Sequence, residues 1–150
     1  MAKMARASGS QVGRSPADGG EAAGRLKAAG LRPTRQRLEL AQLLFAGPDR
    51  HVTAESLAEE GARAGIKVSL ATVYNTLHQF QAAGLLRQVV VDAARGYFDT
   101  NTGDHQHFFV ESEGLLIDIP GEHIQVSGVP AAPPGLVVDR VDVVVRVVRR

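Results

Sequence analysis

Two histidines separated by a single residue, His105 and His107, lie between two aspartates, Asp99 and Asp118. Successive side chains on a β-strand point to opposite faces, so a His-x-His pair places both imidazoles on the same face. Imidazole and carboxylate groups are ligands that divalent metal ions accept. The pattern therefore predicts a metal site on a strand.

The residues after this pair predict a hairpin that adds a third ligand. The segment Glu111-Ser112-Glu113-Gly114 has Gly at its last position, which is typical of a type I turn. A two-residue loop at its centre places Asp118 directly across from His107 in an antiparallel pair. The alternative for His105 and His107 is a solvated strand without ligands, but an aspartate opposite a same-face pair favours the metal site.

The elements that precede these residues have the periodicity of helices followed by strands. Helices are predicted at 21–29, 34–45, from Thr53 to the Gly61–Gly65 region, and at 70–83, with Thr34 and Ser69 as N-caps. Strands are predicted at 85–92 and 96–100 around a tight turn. Three or four helices followed by a two-stranded wing make a winged helix-turn-helix, which is a DNA-binding fold.

The fourth helix carries the polar face expected of a base-reading element. Leu70, Val73, Leu77 and Phe80 share one face, which leaves polar or small residues outward and Tyr74 at the boundary; the outward set is Ala71, Thr72, Asn75, Thr76 and Gln79. Asn pairs with adenine through two hydrogen bonds, and Thr or Tyr contacts the thymine methyl group. An ordinary amphipathic helix with a solvated face is the alternative, and the capped helix, the wing and the nearby arginines together favour DNA.

Charge and composition agree with a nucleic-acid reader that also holds a metal. Residues 1–50 carry nine Lys and Arg against four acids, a net charge of +5, and residues 51–150 carry eight against twelve, a net charge of −4. The chain has no cysteine, which excludes disulfides and thiolate metal sites. With neither a membrane-length apolar run nor an apolar signal-peptide core, we expect a cytoplasmic protein without a membrane partner.

Three motifs resemble the DNA-binding domain of the ferric uptake regulator (Fur) family. They are Arg32-Pro33-Thr34-Arg35-Gln36-Arg37, His51-Val52-Thr53-Ala54-Glu55 and Ala71-Thr72-Val73-Tyr74-Asn75-Thr76-Leu77. Within the family the chain most resembles the iron response regulators, which act on iron and haem genes. That likeness rests on the segments 104–109 (Asp-His-Gln-His-Phe-Phe), 117–120 (Ile-Asp-Ile-Pro) and 141–146 (Val-Asp-Val-Val-Val-Arg), and on the lack of cysteine.

The resemblance implies an α+β homodimer, and Tyr74, Asn75 and Arg32 predict that it binds an A·T-rich inverted repeat in double-stranded DNA. The predicted organisation is a disordered basic arm (1–20), an N-terminal winged helix-turn-helix domain (21–100), a linker (101–103) and a small C-terminal α+β domain for metal binding and dimerisation (104–150). Further strands are predicted at 105–110, 115–119 and 137–148. The expected DNA contacts are Arg32, Arg35, Arg37, Ser69, Thr72, Tyr74 and Asn75.

Carried over position by position, the resemblance implies a regulatory metal site at the junction of the two domains. Its ligands are His51, Asp99, His105, His107 and Asp118. Three imidazoles and two carboxylates suit Fe²⁺ or Mn²⁺, and Zn²⁺ also binds such a set. Iron response regulators are further associated with haem at a run of histidines, here His105 and His107, although Gln106 breaks that run and a Cys-Pro haem motif is absent.

The chain departs from the family pattern at three places. A cysteine-bound structural zinc is excluded, because Val110 and Glu113 occupy one pair of its positions. A second histidine and acid site is dismantled, with Asp104, Gln106 and Gln125 at its positions. A proline-rich stretch after Ile119 replaces the long dimerisation helix.

Two other functions compete with an iron or haem regulator. A peroxide sensor of the same family also uses three histidines and two aspartates, and Fe²⁺ there directs oxidation onto a ligand histidine. A metal-dependent hydrolytic enzyme is the more distant alternative, since an open coordination position activates water. No nucleophile motif and no free general base accompany the ligands, so we predict that the protein is not an enzyme.

Overall fold

The computed structural model describes residues 16–150, and four helices form the first part of this region. They are α1 (Pro16–Ala28), α2 (Arg35–Phe45), α3 (Ala54–Arg63) and α4 (Leu70–Ala82). Side-chain oxygens of Thr34, Thr53 and Ser69 accept backbone hydrogen bonds at the starts of α2, α3 and α4. The predicted caps at Thr34 and Ser69 are confirmed, as is a helix start at Thr53.

A three-stranded antiparallel sheet completes the winged helix. Its strands are β1 (His51–Val52), β2 (Arg87–Val90) and β3 (Gly96–Asp99), in the order β1-β3-β2. Strand β1 is not predicted from the sequence, because two residues carry no periodicity. Its pairing with β3 places His51 directly opposite Asp99.

A second three-stranded sheet follows the linker. Its strands are β4 (His105–Val110), β5 (Leu115–Pro120) and β6 (Val144–Val147), in the order β5-β4-β6, with β6 parallel to β4. His107 pairs with Asp118, so the predicted hairpin register is confirmed. Gly114 has a φ of 58° at the end of the turn, a conformation that glycine adopts without strain.

Two apolar clusters hold these elements together. One fills the winged helix and includes Leu40, Leu57, Leu77, Phe80 and Phe98. The other joins the wing to the second sheet, and its members are Val89, Val91, Tyr97, Phe109 and Leu116. The Tyr97 hydroxyl also donates to the Gly114 carbonyl at 2.8 Å. The wing therefore packs directly on the β4–β5 hairpin.

Two predicted boundaries are wrong. Helix α1 begins at Pro16, so residues 16–20 of the predicted disordered arm are helical, and residues 1–15 lie outside the described region. Proline suits the first position of a helix, which accounts for the early start. The strand predicted at 137–148 is limited to Val144–Val147, because β4 pairs with β6 only from His107 to Val110.

Three predicted side-chain orientations are also wrong. Thr76 is buried, because it lies with Val73, Leu77 and Phe80 on the i, i+3, i+4, i+7 face of α4. Leu70 is exposed at the first residue of that helix. Phe108, an aromatic residue for which a strand sequence predicts core packing, is exposed, because Phe109 and the two histidines occupy the opposite face of β4.

The stretch between β5 and β6 contains a single helical turn in the described chain, the 3₁₀ turn Gly121–His123. A long helix is absent from this described stretch, in agreement with the prediction that a proline-rich segment replaces the long dimerisation helix. None of the described helices combines the length and apolar character needed to cross a membrane.

Replacing Glu60 by Gln is expected to lower the free energy of unfolding at neutral pH by about 1 kcal/mol, the upper end for a partly exposed pair. Arg50, just before β1, donates to both carboxylate oxygens of Glu60 on α3, at 2.9 and 2.6 Å. These hydrogen bonds lower the pKa of Glu60 despite its partial burial. A lowered folded-state pKa stabilises the fold above the unfolded pKa, and this contribution is lost as the pH falls through the folded value.

Urea unfolding of metal-free parent and Glu60→Gln protein, at neutral pH and at an acidic pH below the ordinary pKa of a glutamate, measures this effect. The difference between the two proteins should shrink at the acidic pH. Glu59→Gln is the matched control, because Glu59 and its partner Arg63 are both largely exposed. A Glu60→Gln cost that is independent of pH would contradict the assignment.

Candidate metal centre

The five predicted metal ligands lie together at the junction of the winged helix and the second sheet. His51 comes from β1 and Asp99 from the end of β3, while His105, His107 and Asp118 come from the β4–β5 hairpin. One ligand atom from each residue lies within 4.8 Å of every other. The cluster thus draws two side chains from the DNA-binding half and three from the other half.

Two carboxylate oxygens lie among three imidazole nitrogens. Asp99 Oδ2 is 3.1, 2.7 and 3.0 Å from the Nε2 atoms of His51, His105 and His107. Asp118 Oδ1 is 2.8, 3.4 and 3.4 Å from the same three atoms. Ligand bonds of about 2.1 Å place neighbouring donors at right angles about 3 Å apart, so the spacing suits a single ion.

The hydrogen bond of His105 fixes which of its ring nitrogens is free to bind. Its Nδ1 lies 2.8 Å from the carbonyl oxygen of Gly103. A carbonyl only accepts, so Nδ1 carries the proton, and Nε2 of the neutral ring presents a lone pair. That lone pair lies 2.7 Å from the Asp99 carboxylate. Two lone pairs at this distance repel each other unless a cation lies between them.

Two further observations fit a divalent cation. His51 Nε2 is buried and makes no well-aligned hydrogen bond with any part of the chain from residue 16 onward, although both carboxylates are close. Asp99 Oδ1 accepts from the backbone N–H of Asn101 at 2.9 Å, which leaves Oδ2 directed at the histidines. The donor set of three nitrogens and two carboxylates therefore fits Fe²⁺, Mn²⁺ or Zn²⁺.

The electrostatics of the cluster also favour a cation. Burial raises the pKa of Asp99, but the contacts with His107 and His51 outweigh it and hold that pKa far below the ordinary range. Burial lowers the pKa of His51, whereas the neighbouring Asp99 and Asp118 raise it and prevail. Asp99 consequently remains ionised at neutral pH, and its carboxylate is available to a cation.

The cluster is accessible from one side only. The side chains of Asp99, His105 and His107 are at most 5% exposed, whereas that of Asp118 is 42% exposed. Beside Asp118 an open, largely apolar cavity of about 460 Å³ is lined by Phe108, His123 and Val145 among others. His105 and His107 do not line this cavity and face Asp99 instead, so haem at these two residues requires the hairpin to move.

Three of the predicted DNA-reading residues, Arg37, Thr72 and Asn75, line one groove between α4 and the start of α2. Tyr74 and Asn75 are exposed on α4, and Thr72 is half-buried in its first turn. Ser69 caps this helix through its hydroxyl, which bonds the backbone and the side chain of Thr72. An open groove of about 310 Å³ runs between the two helices, and Asn75 lines it.

The three arginines around the start of α2 differ in their contacts. Arg32 and Arg35 are exposed, and Arg35 pairs with Glu39 at 3.1 Å. Arg37 instead donates from Nε and Nη2 to the side-chain oxygen of Gln79 on α4, at 3.2 and 3.1 Å, and from Nη1 to the Arg32 carbonyl at 3.0 Å. Arg37 thus joins the two helices, an arrangement that the sequence does not predict.

Sequence reasoning also misses the residues that hold the predicted metal ligands in place. Asn101 and Gly103 bond Asp99 and His105 through backbone atoms, which any residue type supplies. Arg87 is buried on β2 and reaches the same linker. The available signal for Arg87 is its charge at a position of β2, a strand whose residues alternate between buried and more exposed. That signal does not identify the partners of Arg87.

A winged helix packed on a small sheet, with a histidine and aspartate cluster at their junction, defines a class of metal-responsive DNA-binding proteins. The chain matches the Ferric uptake regulator family over residues 28–130. It therefore belongs to this family of metal-dependent DNA-binding transcription regulators, and the predicted family is confirmed.

Individual relatives agree with this assignment. The ferric uptake regulation protein of Pseudomonas aeruginosa is 35% identical over 101 residues, which cover 67% of this chain and 75% of that protein. The protein of the same name from Shigella flexneri is 33% identical over 113 residues, covering 74% and 76%.

Solved structures share the fold. The ferric uptake regulator from Pseudomonas aeruginosa with manganese superimposes with a TM-score of 0.64 at 28% identity, covering 86% of this chain and 98% of that one. The regulator from Vibrio cholerae gives a TM-score of 0.66 at 22% identity, covering 85% and 98%. The predicted α+β class with a winged helix is confirmed.

Proposed function

We propose that this chain forms a homodimer whose DNA binding is controlled by Fe²⁺ or Mn²⁺ held by His51, Asp99, His105, His107 and Asp118. The observation that carries the proposal is the origin of these ligands in both halves of the molecule. An ion at this junction binds tightly only when β1 and the hairpin are close together. Differential affinity for two domain arrangements is what a switch requires.

The chain's own residues prepare this site before any ion arrives. Gly103 orients the ring of His105, and the Asn101 backbone orients Asp99. The bound ion supplies positive charge that neutralises the carboxylates and joins the two halves. Zn²⁺ competes for the same donors in vitro, because it generally binds nitrogen ligands more tightly than Mn²⁺ or Fe²⁺.

We further propose an A·T-rich inverted repeat as the DNA target. Asn75 and Tyr74 are exposed on the proposed reading helix α4, and Arg32 is exposed where it can enter a narrow minor groove. A two-fold dimer reads two half-sites of opposite orientation. Phe108, Ile117 and Val145 leave an apolar surface on the outer face of the second sheet, which supports its use between two copies of the chain.

Regulation of iron and haem genes is the biological role we assign to this switch. The motifs of residues 104–109 and 117–120 that resemble iron response regulators support it, since they form the metal hairpin itself. Haem acts through His105 and His107 only after the hairpin opens, because both histidines are buried.

A DNA-binding assay tests this function. Operator affinity is compared for the metal-free protein and for protein loaded with Mn²⁺, Fe²⁺ or haem, at fixed salt concentration because phosphate contacts make affinity strongly salt-dependent. We expect Mn²⁺ and Fe²⁺ to shift the affinity in the same direction. Equal affinity in all four states would overturn the proposed function.

A peroxide sensor is the second candidate, and the partial exposure of Asp118 favours it. Small oxidants can reach the cluster from that side, where Asp118 is exposed, whereas His105 and His107 are buried. In such a sensor, Fe²⁺-loaded protein treated with peroxide gains oxygen on a ligand histidine and Mn²⁺-loaded protein does not. Intact mass spectrometry separates the two functions. An enzymatic role is not proposed, because the family consists of transcription regulators.

Replacing Asn75 by Ala is expected to cost roughly 1–3 kcal/mol of DNA-binding free energy at one base pair and to relax the sequence preference there. Asn75 is exposed and lines the groove between α2 and α4. Competition binding with single-base operator variants measures the effect. Gln81→Ala, at the other end of the same helix, is the control. An unchanged footprint and affinity would show that α4 does not read bases.

A further inference from the structure

The buried side chain of Arg87, on strand β2, lies behind the metal centre. We propose that Arg87 is a positioning residue for the metal ligand His105, acting through the carbonyl of Gly103, and that Asp142 near the C-terminus holds Arg87 in place. This inference rests on the proposed function, because it concerns the same metal centre. The residues that determine metal affinity then include Arg87 from the wing and Asp142 from the C-terminal segment, the residues just before β6.

The guanidinium of Arg87 binds the backbone on which His105 depends. Nη1 donates to the carbonyl oxygen of His105 at 2.8 Å and to that of Gly103 at 3.2 Å. The Gly103 oxygen also accepts from Nδ1 of His105 at 2.8 Å. Because this bond keeps the proton on Nδ1, it leaves Nε2 free to face Asp99. Arg87 therefore fixes the carbonyl that orients the ligand ring, and its Nη1 also lies 3.4 Å from Nδ1 of that ring.

Asp142 connects this arrangement to the end of the chain. Its Oδ1 accepts from Nη2 of Arg87 at 2.5 Å. The next residue, Val143, donates its N–H to the side-chain oxygen of Gln106 at 2.6 Å and accepts from the N–H of His107 at 3.3 Å. The C-terminal segment is thus bonded to the ligand strand β4 at the point where Asp142 orients Arg87.

The energetics of a buried ion pair support a positioning role over a stabilising one. The side chain of Arg87 is only 5% exposed. Replacing both members of a buried pair by apolar residues often leaves stability unchanged, whereas removing one member destabilises the fold if the other charge stays buried. The side chain of Asp142 is 41% exposed, so water can solvate its charge when Arg87 is replaced. Metal affinity and stability are therefore separable in suitable variants, whereas a purely structural Arg87 would change only stability.

Mn²⁺ titration calorimetry of the full chain is the principal test. Arg87→Met is expected to weaken Mn²⁺ binding by about 10-fold or more, the range for loss of a residue that orients a metal ligand. Arg87→Lys should recover part of the affinity, because an ammonium group still donates to the two carbonyls. Arg95→Met is the matched control, since it also removes an Arg–Asp pair from the wing. The Arg95 side chain hydrogen-bonds Asp92 and lies over the Phe109 ring, and it contacts none of the proposed metal ligands within the described residues.

Two further measurements distinguish orientation of the ligand from general destabilisation. The visible spectrum of bound Co²⁺ reports the ligand geometry and should change in Arg87→Met but not in Arg95→Met. Histidine nitrogen chemical shifts of the metal-free protein report the surroundings of the His105 ring directly, and they should change in Arg87→Met but not in Arg95→Met. Thermal unfolding of the metal-free variants shows whether the fold is retained.

Asp142→Asn tests the same positioning role without removing the guanidinium of Arg87. It becomes the principal variant if Arg87→Met does not fold. It should weaken Mn²⁺ binding less than Arg87→Met does, and the double variant should match Arg87→Met, because both residues act through one contact. Parent protein that fails to bind Mn²⁺ would overturn the proposed function. Parent protein that binds Mn²⁺, with Arg87→Met or Asp142→Asn showing parental affinity and Co²⁺ spectrum, would overturn this positioning role alone. An equal loss in Arg95→Met would overturn it as well.

Discussion

Protein reconstituted with Mn²⁺ is expected to hold about one tightly bound ion per chain, and the double variant His105→Ala, His107→Ala to lose that ion. The double change removes two of the three imidazoles and leaves His51 with two carboxylates. Loss of even one orienting residue outside the ligand shell weakens binding 10–100-fold. We therefore expect the loss of two ligands to weaken binding on the order of 100-fold or more.

The expected stoichiometry follows from the arrangement of metal-competent side chains. Among residues 16–150, one group of histidine and acidic side chains is close enough to hold an ion. Gln106, at a position of the dismantled second site, uses its side-chain oxygen to accept from the Val143 N–H. That hydrogen bond links the residue before β6 to β4, so the side chain of Gln106 contributes to strand packing and not to metal binding.

Elemental analysis after gel filtration, together with calorimetry, measures both expectations. His123→Ala is the control, because this histidine is exposed and lies outside the ligand cluster. Both replaced side chains are buried, so circular dichroism is needed to verify that the double variant is folded. Two tight equivalents in the parent protein, or an unchanged affinity in the double variant, would contradict a single site at these histidines.

The parts of the fold that sequence reasoning predicts are those determined by local interactions. The caps at Thr34 and Ser69 act within a single helical turn, and each side chain bonds a backbone N–H three residues away. The pairing of His107 with Asp118 depends only on the strand period and on a short turn. Fold class and hairpin register could consequently be predicted without knowledge of tertiary contacts.

The remaining features depend on contacts between distant segments. His51 and Asp99 are ordinary residues in isolation, and only the resemblance to a family singles them out. They meet because β1 pairs with β3, and a two-residue strand leaves no pattern in the sequence. The pairing of Arg87 with Asp142 and the shortening of β6 likewise depend on how the C-terminal segment crosses the wing and β4.

His51→Ala is expected to retain weak metal binding and to lose the metal dependence of DNA binding. His51 is the ligand that comes from well inside the winged helix, and its Nε2 lies 2.8 Å from Asp118 of the hairpin. Without this imidazole, His105, His107 and Asp118 still offer donors to an ion, with Asp99 beside them. The connection between β1 and the hairpin is broken and Asp99 alone remains from the winged helix, so we expect a bound ion to favour one domain arrangement far less.

The expected size of the effect comes from the coupling free energy between two sites, typically about 1–3 kcal/mol or 5–150-fold in affinity. Operator affinity is therefore measured with and without saturating Mn²⁺ for the parent, His51→Ala and the His123→Ala control. The ratio of the two affinities should differ from unity in the parent and the control, and approach unity in His51→Ala. A ratio near unity in the parent as well would show that the metal centre is structural. A ratio in His51→Ala equal to that of the parent would show that Asp99 connects the two halves instead.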